Sequence, residues 1–287
     1  MYMSWTAIAH RTATVPSSTV DTHAHVFTAA LKLASGRRYV PRGEAPVASF
    51  LALLDAHGVD AGVLVQPSFL GTDNGHLLEA LATAPDRLRG IAVVAPEVTD
   101  ATLDACSASG VVGVRFNLIG DDPGKLRGRE WRALARRVAA RGWQIEIQAE
   151  GGDLVAALDA LASADAPLVV DHFGRPDPSL GIADPGFRRL LAQGAEGRVW
   201  VKLSGAYRCG GVDVRPYVDA LLAGLGPARL LWGSDWPWTQ FESGRTYPGC
   251  LAELARWCDE PTRQRIVAGA RSLFRLPPSQ APRSDPP

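Results

Sequence analysis

Residues 20–27 read VDTHAHVF. The run has the composition of a buried strand, yet two of its positions are His23 and His25. Side chains alternate between the faces of a strand, so the two imidazoles are expected to point the same way, with Asp21 below them. Such a pair can ligate a metal ion or polarise one oxygen atom. Other stretches carry residues suited to the same chemistry. DHFGRPD holds His172, and WGSDWPWT holds Asp235. VVGVRFN carries Arg115 and Asn117 on one face, and VWVKLSGAYR carries Ser204 and then Arg208. LVQPS ends in Gln66 and Ser68, while IEIQAE alternates apolar residues with Glu146, Gln148 and Glu150, a polar face that suits a wet opening. Each residue alone also has a structural explanation: a core histidine, a turn-capping aspartate before Pro237, an arginine paired with Glu146.

Positioning these residues falls to a regular alternation of strands and helices. Short apolar runs at 19–26, 61–66, 89–94, 111–117, 143–148, 167–172, 198–204 and 228–234 read as eight strands. Segments with helical periodicity separate them, from VASFLALLDAHG to CLAELARWCDE and RQRIVAGARSLF. Gly58, Gly110, Gly142 and Gly226 close several of these helices. Eight such repeats predict a single (β/α)8 TIM barrel over residues 19–276. In that fold the active site lies at the C-terminal strand ends, where every residue above falls. No GxGxxG follows the first strand, so no dinucleotide cofactor is expected. The Pro/Ser-rich ends, 1–18 and 277–287, are expected to be poorly ordered.

Composition narrows the class. The chain has 287 residues, with Lys+Arg and Asp+Glu equal at 30 each, so no global field favours nucleic acid or an anionic membrane. Cys106, Cys209, Cys250 and Cys258 form no CxxC pair, against a zinc ribbon or a disulfide framework. Cys209 has no neighbouring histidine in sequence to activate it. No run reaches the roughly 20 apolar residues of a membrane span, and the N-terminus lacks a signal-peptide pattern. The expectation is a cytoplasmic protein acting on a small molecule, with a homo-oligomer left open.

Taken together, THAHVF, DHFGRPD and WGSDWP resemble the amidohydrolase superfamily, in its amidohydrolase-2 branch. RRYVP (37–41), LVQPSFLGTDN (64–74), GVRFN (113–117) and VWVKLSGAYR (199–208) bring the likeness closest to the 2-pyrone-4,6-dicarboxylate lactonases and related lactonases. The resemblance implies catalytic roles for His23, His25, His172 and Asp235. It implies substrate-binding roles for Tyr39, Ser68, Arg115 and Arg208, with Gln148 standing where that group has a tyrosine. Its second arginine, six residues beyond Arg115, is replaced here by Asp121. An aspartate there would repel a second carboxylate, which favours a less acidic lactone than the pyrone dicarboxylate.

The chemistry expected is hydrolysis of a cyclic ester carrying an anionic group. Asp235 would take a proton from water, the three histidines would face the lactone carbonyl, and Arg115 would hold a substrate carboxylate, with Arg208 as a second anchor. His23, His25 and Asp235 also offer ligands for one Zn²⁺ or Mn²⁺, if a metal is used at all. The long segment 27–45, with Arg37, Arg38 and Tyr39, suits a lid. A metal-dependent decarboxylase of an aromatic or unsaturated acid is the alternative, and a non-catalytic barrel that binds a small acid the second.

Overall fold

The computed structural model describes residues 19–278. The expected disordered segment 1–18 lies outside the described residues, as does 279–287, most of the expected C-terminal tail. Eight parallel strands form one sheet in sequential order. They are β1 (Thr19–Ala24), β2 (Val59–Val65), β3 (Leu88–Ala92), β4 (Val111–Asn117), β5 (Gln144–Gln148), β6 (Leu168–Val170), β7 (Val199–Leu203) and β8 (Leu230–Trp232). The strand pattern read from the sequence is this one, with ends shifted by up to two residues. Beyond β8, Asp235 N–H bonds the His23 carbonyl at 2.8 Å and His25 N–H bonds the Trp236 carbonyl at 2.8 Å, bringing the two barrel edges together. The fold is a (β/α)8 barrel.

Helices α1 (Val47–Ala56), α2 (Gly75–Thr83), α3 (Asp100–Ala108), α4 (Arg129–Ala140), α5 (Gly151–Leu161), α6 (Pro185–Ala195), α7 (Arg215–Leu225) and α8 (Tyr247–Trp257) follow their strands in turn. A ninth, α9 (Glu260–Leu273), has another task. Its Val267 and Ala270, with Phe274, pack with Val20, Val63, Val169 and Leu231 in an apolar layer of their own. That layer fills the barrel floor. The larger apolar cluster joins outward residues such as Leu64, Val114 and Leu203 to the helices. Among the described residues no helix is long and apolar enough to cross a membrane.

One expectation fails on β1. Pairing with β2 shifts register between Asp21 and Ala24, which breaks the simple alternation. His23 reaches Lys202 on β7, whereas Asp21 accepts from Tyr247 Oη on α8 at 3.0 Å and from Ser234 N–H at 2.9 Å. Asp21 therefore sits outside the histidine face and ties β1 to the helical layer. Burial pushes its pKa up to about 6, against hydrogen bonds from Ser234, His23 and Tyr247.

Candidate active site

Above the apolar floor the barrel holds a tier of charge. His23, Glu146, Asp171 and Lys202 are fully buried, and Arg115 nearly so. Lys202 lies between Val201 and Leu203, both turned to the helices, so alternation sends its ammonium inward. It donates a close hydrogen bond to Glu146 and another to His23 Nδ1 at 3.0 Å. Glu146 was expected at a wet mouth; it is instead dry, and its pKa is pushed up to about 7 by burial and by Asp171. Arg115 faces Asp171 at 3.7 Å, not Glu146, and donates to the Gln66 carbonyl at 2.6 Å.

The second tier lines a cavity of about 140 Å³. His25, Ser68, Arg115, Gln148, His172, Asp235, Arg208 and Tyr39 all border it, so strands 1, 2, 4, 5, 6, 7 and 8 converge there. His23 lies just beneath, its Nε2 3.8 Å from Asp235 Oδ1. His172 and Asp235 hold positive φ, 50° and 58°, a conformation that costs about 1–3 kcal/mol per residue and is common where a fold aims a functional side chain. Tyr39 is already at the cavity: its hydroxyl meets Thr239 Oγ1 at 3.1 Å, and its ring meets Phe69. Asp121 does not line the cavity and pairs closely with Lys125, so it is not placed to repel a bound carboxylate.

Hydrogen-bond partners fix the protonation states. Lysine only donates, so His23 Nδ1 accepts and Nε2 carries the proton. Asp171 Oδ1 lies 3.3 Å from the same nitrogen, farther than Lys202 Nζ, and the shorter Lys202 contact sets the tautomer. His25 Nδ1 donates to the Val65 carbonyl at 2.7 Å, leaving Nε2 with a lone pair. His172 Nδ1 meets Ser204 Oγ at 2.9 Å, which turns its other nitrogen to the cavity. Burial pushes His25 down to about 3 and His172 to about 4, and together with the Lys202 charge it holds His23 well below the usual histidine range. All three are neutral near pH 7.

Asp235 is held from one side. Its Oδ2 accepts from Arg208 Nε at 2.6 Å and Tyr207 Oη at 2.5 Å. Burial alone would raise its pKa; the Arg208 guanidinium and the surrounding histidines outweigh this and hold the carboxyl well below the usual range. Arg208, expected as a free substrate anchor, is thus engaged by the carboxylate. Asp235 Oδ1 is buried without a partner and faces His23 Nε2 and His25 Nε2, the latter at 3.9 Å. The gap between them has two acceptors and one donor, the complement of a water molecule.

The same three residues were the ligand set expected if a divalent cation is bound. Their spacing is near that of a metal site. Their chemistry is not, because the Lys202 hydrogen bond places a proton on His23 Nε2, where a metal needs a lone pair. The set does not fit a metal ion.

The model of the family described as "Amidohydrolase" matches residues 20–276. The chain belongs to this amidohydrolase family. A 4-sulfomuconolactone hydrolase of Rhizobium radiobacter is 33% identical over 265 residues, covering 88% of each chain. A 2-pyrone-4,6-dicarboxylate hydrolase of Comamonas testosteroni is 31% identical, covering 84% of this chain and 83% of its own. The solved structure of a Pseudomonas putida protein assigned as a 2-pyrone-4,6-dicarboxylic acid hydrolase superposes with a TM-score of 0.85 at 43% identity, covering 91% of this chain and 99% of its own.

In this amidohydrolase, sequence reasoning missed Lys202, Asp171, Tyr207 and Arg175. A charged residue inside the strand run VWVKL was a usable signal for Lys202. Asp171 directly precedes His172 and was hidden by it. Tyr207 and Arg175 sit on short turns past the strand ends, where periodicity says nothing. Cys209 is buried, and burial pushes its thiol up to about 12.

Proposed function

We propose that this amidohydrolase opens the ring of a small lactone carrying an anionic substituent. The observation that carries the reading is the gap between Asp235 Oδ1, His25 Nε2 and the His23 Nε2 proton, which suits one attacking water beside a small cavity. Water there donates to Asp235 and His25 and accepts from His23. As its oxygen attacks the lactone carbonyl, one proton passes to Asp235. His172 Nδ1 meets the Ser204 hydroxyl; with that hydroxyl as the donor, His172 turns an Nε2–H hydrogen bond on the developing oxyanion and keeps its proton. The ring C–O bond then breaks, and Asp235 returns its proton to the leaving oxygen. The names of the relatives, hydrolases of a sulfomuconolactone and a pyrone dicarboxylate, agree with this reaction.

The partner is a small anionic molecule, and four free cysteines suit the reducing cytoplasm. The test is proton release from sugar lactones, muconolactones and pyrone carboxylates in weak buffer with a pH indicator, with and without chelator. Turnover on one class that survives chelation is the expected result. Turnover of no lactone, with carbon dioxide released from an unsaturated acid, would replace the proposal by the decarboxylase reading. Binding of a small acid with neither activity would favour the non-catalytic barrel.

A further inference from the structure

Four arginines line the cavity: Arg38, Arg115, Arg175 and Arg208. Three are committed within the protein. Arg208 is bound to Asp235 at 2.6 Å and Arg175 to Glu150 at 2.7 Å. Arg115 donates to the Gln66 carbonyl and faces Asp171. Beneath them Lys202 is matched by Glu146. Each of these cations has a carboxylate beside it, with Asp171 shared between Arg115 and Lys202.

Arg38 is the exception. Among the described residues it makes no hydrogen bond and no ion pair, although it borders the cavity from the segment after β1. Its pKa is lowered, first by partial burial, with the Arg115 and Arg208 charges adding to the effect and Tyr39 and Glu150 opposing it. Arg38 stands exposed at the cavity mouth, under the charges of Arg115 and Arg208 and with no carboxylate paired to it. Asp121 is paired with Lys125 outside the cavity and supplies none.

We infer that Arg38 is the substrate's anion anchor and that the substrate is a lactone with a single anionic group. By this pairing Arg38 is the cavity arginine without a counter-charge, and a second anion would have to share the remaining N–H donors of arginines whose charge Asp235, Glu150 and Asp171 already balance. One negative group on Arg38 supplies that counter-charge and leaves the Arg208–Asp235 pair intact. The ring then lies between Arg38 at the rim and Asp235 at the base. The ring's identity rests on the lactone hydrolase reading; the anchor does not.

The experiment is calorimetric binding of 3-oxocyclopentaneacetic acid, a carbocyclic lactone mimic that cannot be hydrolysed, and of its methyl ester. The wild type should bind the acid about tenfold more tightly than the ester, the scale of one charged hydrogen-bonded pair. Arg38→Ala should erase that preference and Arg38→Lys should keep part of it, both with unchanged Tm, since Arg38 bonds nothing in the protein. A preference that survives in Arg38→Ala, or is absent from the wild type, overturns the anchor. A derivative with a second carboxylate on the ring should bind no more tightly than the mono-acid; markedly tighter binding overturns the single charge. Lactone turnover is scored separately. An acid preference that depends on Arg38 without turnover removes the hydrolase reading alone, and turnover without the preference removes the anchor alone.

Discussion

Asp235 works under restraint. Arg208 and Tyr207 occupy one of its oxygens and keep it anionic, leaving the other oxygen for water. Replacing it with Asn removes the proposed proton acceptor, and kcat should fall roughly 10³-fold, within the usual range for a general base. Asn tolerates the positive φ, so circular dichroism should still report a folded barrel even though Arg208 loses its counter-charge. The low pKa values also set the pH profile. With His25 near 3, His172 near 4 and Asp235 below its usual range, none of these groups takes a proton between pH 8 and 5. Activity (kcat/KM) should stay level across that interval, whereas an ordinary histidine base would lose activity below about pH 6.5. A half-maximal rate between pH 6 and 7 that persists in Glu146→Gln, whose own carboxyl is pushed up to about 7, would contradict this assignment.

Strands decide which groups meet. Lys202 on β7 joins His23 on β1 and Glu146 on β5 because each faces inward at the same height. Lys202→Met strands Glu146 in a dry interior and should cost about 3–5 kcal/mol, read by chemical denaturation. It also frees His23 to change tautomer. Combining it with Glu146→Leu should therefore restore much of the stability but not kcat, and recovery of both would show that Lys202 only balances charge. The turn after β7 carries a second constraint. A Cβ on Gly205, itself at φ 55°, would stand 2.9 Å from His172 Nδ1 and 3.0 Å from Asp235 Oδ2. Gly205→Ala should displace both groups and lower kcat far more than it raises KM in steady-state kinetics. The strand runs were readable because apolar blocks between helical periods have few other solutions in one domain. The β1 shift was not, since a bulge leaves no mark in a pattern of residue types.

At the scale of the molecule, a charged tier inside an apolar barrel links stability to pH. His23, His25 and His172 are buried and neutral, with pKa values far below that of an unfolded histidine. Each lowers stability as pH falls below about 6.5, because only the unfolded chain binds the proton. Asp21 and Glu146, pushed up to about 6 and about 7 by burial, act in the opposite sense: the folded protein binds their protons first. Three groups against two leave a net loss of about 1 kcal/mol per pH unit between roughly pH 6 and 4.5. Thermal unfolding scanned from pH 7 to 4.5 checks this, and a Tm that rises on acidification would refute it. The sequence by itself determined the barrel, because strand and helix periods are local, and it determined the end of the barrel at which His23, His25, His172 and Asp235 gather, because that end follows from chain direction. Only the tertiary structure decided which charges cancel. Whether Arg208 is free or held, which nitrogen of His23 carries a proton, and that Arg38 stands unpaired all depend on distances of a few ångströms between residues remote in the chain, and no spacing along the sequence encodes them.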